Sequence, residues 1–359
     1  MIQRALYVAA FLAGIITVYI AYQDRNLAVL QSVSIPLQIE AVATPLTHPD
    51  TPQHDQLIWR GGIKMTSPHP RFGGLSGLEI SPDGRGILAI TDKGFWFKGR
   101  LGYSSDGNLL NLSRGILSSL HDTAGGALTR KKDRDSESLA MSENGAVYVS
   151  FERKHRILLY ESPLATKAEA IPFPEALEDA GKNRGIEAMT ELPGGCLLVL
   201  AERQQPDGLL EAYLWDQESW QSLTLQANSK GLLPTGLAMT PDGDLLLLER
   251  SFSFLGGFAS SLRIFPAEEI RPGYIMKGRV LANFDGEQAM DNLEGISSRR
   301  GEKGETLVYL LSDDNLSMAQ QTLLVMFELR EQEKPAGLRS AGCLKNGSAY
   351  SAALETKAF

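Results

Sequence analysis

The chain has 359 residues, which is long enough for one large domain or two ordinary ones. Its hydrophobic content of 43% and charged content of 22% are those of a globular protein and exclude a disordered chain. The formal net charge of -8 argues against a nucleic-acid binder, because a protein that binds phosphate backbones presents a basic face.

The N-terminal segment predicts export. Residues 5–22 form an 18-residue apolar run behind Arg4, a length between that of a signal-peptide core and that of a spanning helix. We predict a signal anchor or a signal peptide in residues 1–24, with a buried helix of the domain as the remaining alternative. Arg4 favours the cytoplasmic side. The rest of the chain is therefore expected on the periplasmic or extracellular side, tethered to the inner membrane by this helix.

The remaining chain divides by composition. Residues 25–56 carry four prolines without sustained periodicity and predict a linker. Residues 57–330 are dense in strand patterns, and residues 331–359 are polar, rich in small side chains and predicted to be disordered. The two cysteines form no disulfide framework or ligand motif, so Cys196, which lies in an apolar strand pattern, is predicted to be a buried free thiol. The five histidines show no ligand spacing, which argues against a zinc site.

One short pattern recurs five times: an apolar strand start with a polar or acidic residue, a tight turn, and an apolar strand that ends in an acid. The strand-end acids are Asp92, Glu152, Glu202, Glu249 and Asp313, at separations of 60, 50, 47 and 64 residues. Short strands repeating at this period predict an all-β fold, a β-propeller. Radial repetition would gather these acids at one end of a central channel.

Blade number and ring closure follow from the same pattern. The runs after the turns are almost continuously apolar, as expected of strands buried on both faces between neighbouring blades. Five blades fit best, and a sixth would fit if residues 100–134 contained one. The last copy lacks an outer strand, and we predict that Gln56–Met65 supplies it and closes the ring, which removes an open edge.

A second group of acids precedes the turns. Glu137, Glu187 and Glu294 are predicted to share one face, whereas Glu79 is out of register and Ala238 stands in the comparable stretch of the fourth copy. Converging carboxylates take up protons or bind a cation, and with asparagine oxygens they suit Ca²⁺ or Mg²⁺. We predict a Ca²⁺ site, with Mg²⁺ as the alternative. Its ligands are drawn from Glu137, Asn292, Glu294, Asp313 and Asp314.

Basic residues and one serine have weaker interpretations. Four strand-end acids are followed by a base, and these pairs could equally be structural salt bridges between blades. The basic run at residues 130–134 would attract an anionic substrate if it stood at the acidic mouth. Ser76 lacks the final glycine and the following helix of a nucleophile elbow, so we interpret it as a turn residue.

The ordered series of motifs resembles the phytase-like family, exported bacterial propellers described by an esterase-like activity of phytase. The matching pieces are Phe72–Leu78, Thr91–Gly94, Asp135–Ala140, Asn183–Glu187, Leu248–Phe252, Asp291–Ile296 and Ser312–Asn315. The resemblance covers about residues 57–329 and implies a propeller with phosphoester or carboxylester hydrolysis. Propeller phytases hold phosphate with several calcium ions in an acidic mouth. Their motifs find no residue-by-residue match here, so their catalytic roles are not carried over.

Two functions from different classes are predicted. The first is a divalent-metal-dependent hydrolase of a small anionic or ester substrate. Glu187 or Glu202 would be its general base, and Arg203 or Arg250 would steady the developing anion. The alternative is a non-catalytic ligand- or protein-binding propeller anchored at the membrane, because a fold alone does not decide function. We expect a monomer.

The hydrolase hypothesis has two versions with different expectations. In the phosphoester version, Arg250 and residues 130–134 face the mouth. The lactonase-like version expects an apolar and more closed pocket. Both versions require remote acids to meet at one end of the ring.

Overall fold

A computed structural model describes residues 34–44, 56–163, 165–178, 185–253, 257–285, 290–317, 319–330 and 343. These residues form strands, one short helix, α1 (Lys131–Arg134), and two 3₁₀ turns, Glu175–Leu177 and Ala267–Glu269. The all-β prediction is confirmed. The predicted N-terminal apolar helix lies outside the described residues, within which no helix is long and apolar enough to cross a membrane.

Antiparallel pairing arranges the described strands in sets of four. Three strands come first: β1 (Ile35–Pro36), β2 (Glu40–Ala43) and β3 (Leu57–Thr66). Set 1 is β4 (Leu75–Ile80), β5 (Gly86–Thr91), β6 (Phe95–Tyr103) and β7 (Leu109–Ser119). Set 2 is β8 (Ser136–Met141), β9 (Val147–Phe151), β10 (Arg156–Tyr160) and β11 (Glu169–Ile171). Set 3 is β12 (Ile186–Leu192), β13 (Cys196–Ala201), β14 (Leu209–Trp215) and β15 (Trp220–Gln226).

Two further sets complete the described strands. Set 4 is β16 (Leu233–Met239), β17 (Leu245–Ser253), β18 (Gly257–Phe265) and, after the short β19 (Ile275–Met276), β20 (Arg279–Phe284). Set 5 is β21 (Asn292–Arg300), β22 (Thr306–Asp313) and β23 (Thr322–Leu329), with β3 as its outer strand. Residues 100–134, where a sixth blade would have fitted, contain the end of β6, then β7 and α1.

The first strands of the sets contact one another in a closed cycle. Strand β4 packs on β8, β8 on β12, β12 on β16, β16 on β21, and β21 returns to β4. The innermost strands therefore surround a common axis, which is the arrangement of a β-propeller. The second strands, β5, β9, β13, β17 and β22, all end on the same side of the ring. We call this side the mouth.

Alternate residues of the second strands pack into opposite neighbouring layers. In β17, Leu245 and Leu247 join the core between sets 3 and 4, whereas Leu246 and Leu248 join the core between sets 4 and 5. Successive side chains of a strand point to opposite faces, so a strand buried on both faces must be apolar throughout. This packing accounts for the continuous apolar runs of the sequence.

The seam between sets 5 and 1 is reinforced by the N-terminal strands. Strand β3 pairs with β23 along most of its length, as predicted for Gln56–Met65. Within the segment predicted to be a linker, β2 pairs with β3 and β1 pairs with β7. Leu37, Ile39 and Ala41 pack against the apolar layer of the seam. The described part of this segment, residues 34–44, thus straps sets 5 and 1 together.

The prediction that Cys196 is a free thiol is wrong, because Cys196 and Cys343 form a disulfide. Cys196 begins β13, so the bond lies at the end of set 3 opposite the mouth. The Cys343 amide also donates a hydrogen bond of 2.9 Å to the Pro193 carbonyl. The cysteines are 147 residues apart in sequence, and no local pattern reveals such a pairing. The rest of the predicted disordered tail lies outside the described residues.

Replacing Cys343 by serine should lower the free energy of unfolding by about 2–4 kcal/mol, because the disulfide restricts the unfolded chain. Chemical denaturation of the oxidised proteins measures this difference. A reducing agent should weaken the wild type to a similar extent and leave Cys343→Ser unchanged. Equal stabilities of the oxidised wild type and variant would contradict the assignment.

Candidate functional site at the mouth

A β-bulge interrupts the pairing of the first and second strand in every set. The residues at the bulges are Gly77, Glu137 (with Ser138), Glu187, Thr235 and Glu294. A bulged residue leaves the ladder and its side chain is re-aimed, a device common beside active sites. In sets 2, 3 and 5 the re-aimed side chain is a glutamate.

The other two bulges hold residues that serve the backbone. Gly77 has a φ of +55°, and a Cβ there would lie 2.9 Å from the amide nitrogen of Leu139 in set 2. Thr235 occupies the fourth bulge, where the sequence analysis had placed Ala238, and its hydroxyl bridges the carbonyls of Leu248 and Leu293. Neither bulge can therefore present a carboxylate.

Glu137, Glu187 and Glu294 converge although they belong to different sets. Burial raises the pKa of Glu137 well above its ordinary value, and the charges of Glu187 and Asp92 raise it further. Burial likewise raises the pKa of Glu187, followed by the charges of Glu202 and Glu294. Burial also raises the pKa of Glu294. Remote carboxylates therefore share one buried site, which was the central prediction from the repeat.

A second tier of side chains lies where the second strands reach the mouth. Pairing aligns Thr91, Glu152, Glu202, Arg250 and Asp313 at this level. Burial, then Asp135, raises the pKa of Glu152 to about 7. Burial, then Glu294, raises the pKa of Asp313 to about 9. Asp92 lies one residue beyond Thr91, and its pKa is raised to about 7 by burial, then by Glu294 and Asp135.

Glu249 was predicted to join this ring and does not. It is fully buried within set 4, where Arg263 Nη1 lies 3.2 Å from its Oε1 and Asn228 Nδ2 donates 2.9 Å to its Oε2. A buried carboxylate requires such partners. Arg263 lies in β18 of the same set, so the pair is a salt bridge within set 4 and not the bridge between blades that remained as an alternative. Arg250, the next residue, takes the mouth position instead.

Arg250 is a cation surrounded by the converging acids. Its Nη2 lies 2.9 Å from Glu294 Oε1, and Asn292 Nδ2 donates 2.7 Å to the same oxygen. Burial alone would lower the pKa of Arg250, but Glu294, Glu202 and Glu187 outweigh burial and raise it. Arg250 therefore stays charged and offers a fixed positive group to an incoming anion.

Arg203, the second predicted arginine, points elsewhere. Its Nη2 lies 3.0 Å from Glu211 Oε2, and the Tyr213 hydroxyl donates to the same carboxylate. Glu211 and Tyr213 belong to β14, the third strand of set 3. Because neighbouring residues face opposite sides, Glu202 reaches the acids while Arg203 turns outward.

The five predicted metal ligands separate into two groups. Glu137, Asn292, Glu294 and Asp313 stand at the mouth, and the Asn292 side chain, 1% exposed, has an Oδ1 without a hydrogen-bond donor among the described residues. Asp314 instead ties loops: its Oδ1 accepts from the amides of Gly74 (2.9 Å) and Leu316 (3.0 Å), and its Oδ2 accepts from Thr322 Oγ1 (3.0 Å). Both carboxylate oxygens of Asp314 are thus used in hydrogen bonds that hold the loops.

A cluster that could hold a metal ion lies in set 2. One carboxylate oxygen each of Asp135, Glu137 and Glu152 lies within 4.8 Å of the others. Glu137 was predicted as a ligand, whereas Asp135 and Glu152 were not. Asp135 also pairs with Arg153. The spacing contained a signal: Asp135 precedes the bulged Glu137 by two residues and faces Glu152, as Asn292 precedes Glu294 and faces Asp313.

Basic side chains stand beside this acidic group. Helix α1 carries the basic run, in which Arg130 pairs with Asp133 at 2.8 Å. Burial lowers the pKa of Lys93, and Arg134 and Arg71 lower it further, against the opposing pull of Asp314 and Asp92. We call Lys93, Arg71 and Arg134, whose charges act on one another next to Asp92, the positive rim.

Ser76 is a buried strand residue. It is 1% exposed in β4, and its hydroxyl donates 2.9 Å to the Ser136 carbonyl of set 2. Its interpretation as a turn residue is wrong in location, but the contact agrees with the rejection of a nucleophile. The hydroxyl of Ser136 donates back to the Thr91 carbonyl at 2.8 Å. These two hydroxyls thus join sets 1 and 2 just below the acids.

The family model described as "Phytase-like: Esterase-like activity of phytase" matches residues 70–316. The chain belongs to the phytase-like family. Every mouth residue described above lies inside the matched range. The family description supports a hydrolase-type propeller as the class of function.

Several solved structures resemble this phytase-like chain weakly. An α-L-arabinofuranosidase from Podospora anserina is 14% identical with a TM-score of 0.45, covering 81% of this chain and 97% of its own. A virginiamycin B lyase from Staphylococcus aureus is 12% identical with a TM-score of 0.34, covering 83% and 90%. At these scores the likeness carries no inference about activity. No curated protein matches the chain.

The metal-free protein should lose stability as the pH rises from about 5 to 9. Asp92 and Glu152, with a pKa of about 7, and Asp313, with a pKa of about 9, bind protons more tightly when folded. Their contribution to stability is complete below a pH near 4, their pKa in the unfolded chain. It is lost as the pH rises past their pKa values in the folded protein. Thermal unfolding in a chelator across this range measures the effect. A midpoint that rises with pH would contradict the buried cluster.

Proposed function

We propose that this phytase-like protein is an exported five-bladed propeller that hydrolyses esters at its acidic mouth with the help of a divalent cation. The observation that carries the proposal is the convergence of Glu187, Glu202 and Glu294 around Arg250, with Glu137 beside Glu187. Buried groups with strongly shifted pKa values, gathered in one place, mark a functional site more often than a structural one.

Glu187 or Glu202 is the proposed general base. Burial, followed by the charge of Glu202, raises the pKa of Glu187 well above its ordinary value, so its ionised form is a stronger base than a surface glutamate. A base is most effective when its pKa lies near the working pH. Glu187 would accept the proton of the attacking water, and Glu202 would assist through its charge.

Arg250 is the proposed stabiliser of the developing anion. It is charged, buried among the acids and held by Glu294 at 2.9 Å, so its position is fixed before substrate arrives. Preorganised positive groups in a site sheltered from water stabilise transition-state charge strongly. Since Arg203 is engaged by Glu211, the role falls to Arg250 alone. An arginine facing the mouth is also what the phosphoester version expects.

The cation is proposed to be Ca²⁺, with Mg²⁺ as the alternative, held by Asp135, Glu137 and Glu152. Carboxylate oxygens are hard ligands that suit these ions. A bound divalent ion would polarise the ester and relieve the repulsion among the acids. The positive rim of Lys93, Arg71 and Arg134 supports a small anionic substrate.

Export is proposed from two observations. The apolar run behind Arg4 fits a membrane tether, and the Cys196–Cys343 disulfide is typical of proteins in oxidising compartments. The protein would act as a monomer on the periplasmic or extracellular side. Its N-terminal helix would be its contact with the membrane.

Turnover of the best ester or phosphoester in a substrate panel should fall by about 10²–10⁴-fold in Glu187→Gln, the usual loss of a general base. Glu294→Gln should also abolish turnover, because Arg250 loses the partner that positions it. The matched control for Glu187→Gln is Glu218→Gln. Glu218 is an exposed carboxylate of set 3 at the end opposite the mouth, so this change should leave the rate unaltered. If the wild type turns over no ester with or without calcium, the hydrolase proposal is lost and a binding propeller takes its place.

Calcium should bind to the metal-free wild type with measurable heat and raise its unfolding temperature. Glu137 belongs both to the ligands predicted from the sequence and to the set 2 cluster, so Glu137→Gln should abolish the heat. Asp314→Asn changes a carboxylate that the fold already uses, so it should keep the binding. Absence of heat in the wild type would remove the cation from the proposal while leaving the general base testable.

A further inference from the structure

Strand β17 rises beyond the mouth. The second strands of the other sets end at Thr91, Phe151, Ala201 and Asp313, at or just before the level of the mouth. Strand β17 passes that level at Arg250 and continues to Ser253. Three further residues extend a strand by about 10 Å. Set 4 therefore carries a two-stranded projection, formed with the start of β18, above the acids.

The projection points an aromatic ring to the same side as Arg250. The pairing of β17 with β18 is regular from Leu245 to Ser253, without a bulge. In a regular strand, residues two apart face the same side, so Phe252 faces the side to which Arg250 reaches toward Glu294. Phe252 lies about 6.6 Å further along the strand, just outside the reacting groups.

Phe252 forms a pair with Phe258. The two residues are opposite each other in the ladder, and their ring centroids are 4.9 Å apart at an interplanar angle of 50°. Phe252 is nevertheless 61% exposed. The exposed ring therefore offers an apolar, aromatic surface on which a ligand ring can pack. We call Phe252 and Phe258 the aromatic lip.

We propose that the aromatic lip binds the apolar or aromatic part of the substrate, next to the ester that is hydrolysed among the mouth acids. The inference rests on the proposed function and adds the substrate class: an ester whose non-reacting group is apolar or aromatic. Its position selects this occupant, because the ring stands on the same strand face as Arg250. Bound there, an aryl group buries the exposed surface of Phe252 and holds the ester beside Glu187 and Arg250.

Matched substrates test this preference within each ester type. Phenyl phosphate is compared with methyl phosphate, and phenyl acetate with methyl acetate. In the pair that the protein hydrolyses, Phe252→Ala should lower kcat/KM for the phenyl compound by roughly tenfold, chiefly through KM, and leave the methyl compound unchanged. Phe252→Tyr should restore the preference. The control is Val280→Ser, which removes an exposed apolar side chain at the other end of set 4.

A probe that is not hydrolysed separates the lip from the chemistry. N-benzylacetamide, followed by saturation-transfer NMR, should bind the wild type and Val280→Ser but not Phe252→Ala. Binding of this probe without turnover of any ester would overturn the hydrolase and keep the aromatic subsite. Turnover that is indifferent to Phe252→Ala would overturn the subsite and keep the hydrolase. Loss of vesicle binding in Phe252→Ala, with unchanged kinetics, would also overturn it and assign the lip to a membrane surface.

Discussion

The apolar layers between the sets decide where the acids go. Each layer joins two neighbouring sets, and the last one, between sets 5 and 1, closes the cycle. Closure fixes the inner strands around one axis and leaves their mouth-side residues no route outward. Carboxylates that are far apart in sequence are therefore confined together at low dielectric, where like charges repel strongly. The folded chain must relieve this repulsion by binding protons, by the charge of Arg250, or by a cation.

A single residue of register separates a site residue from a structural one. Glu202-Arg203 and Glu249-Arg250 are the same dipeptide at the ends of equivalent strands, yet Glu202 and Arg250 are the members that reach the mouth. Strand pairing causes the difference. The Glu202 amide donates to the Gly185 carbonyl in set 3, and at the equivalent position of set 4 it is Arg250 that pairs, with Leu233. Because strand neighbours point to opposite faces, the shift exchanges an acid for a base at the mouth. Set 4 thereby supplies a cation at the level where sets 2, 3 and 5 supply acids.

Features that depend on neighbouring residues in the sequence were predictable, and features that depend on remote contacts were not. Continuous apolar runs and turns are local signals, so the strands and the closing strand Leu57–Thr66 were predictable to within one or two residues. The placement of Glu249 was wrong, because a one-residue shift in strand pairing decides which member of Glu249-Arg250 reaches the mouth. The partner of Cys196 and the ordered strap at residues 34–44 depend on contacts with remote sets, which composition does not encode. The acids were found as a group, and their individual contacts were not.

The mouth combines near-equivalent groups that differ in their counter-charge. Asp135, Glu137 and Glu152 in set 2 occupy the same ladder positions as Asn292, Glu294 and Asp313 in set 5. Arg250 neutralises Glu294, so the set 5 group has less unbalanced charge to offer a metal ion. The set 2 group has one more carboxylate and Arg153 beside it. In the proposed function the cation then belongs to set 2 and the guanidinium to set 4. Set 3 lies between them in the ring, which places the proposed base Glu187 between the residues that would hold the cation and the guanidinium that would stabilise the developing anion.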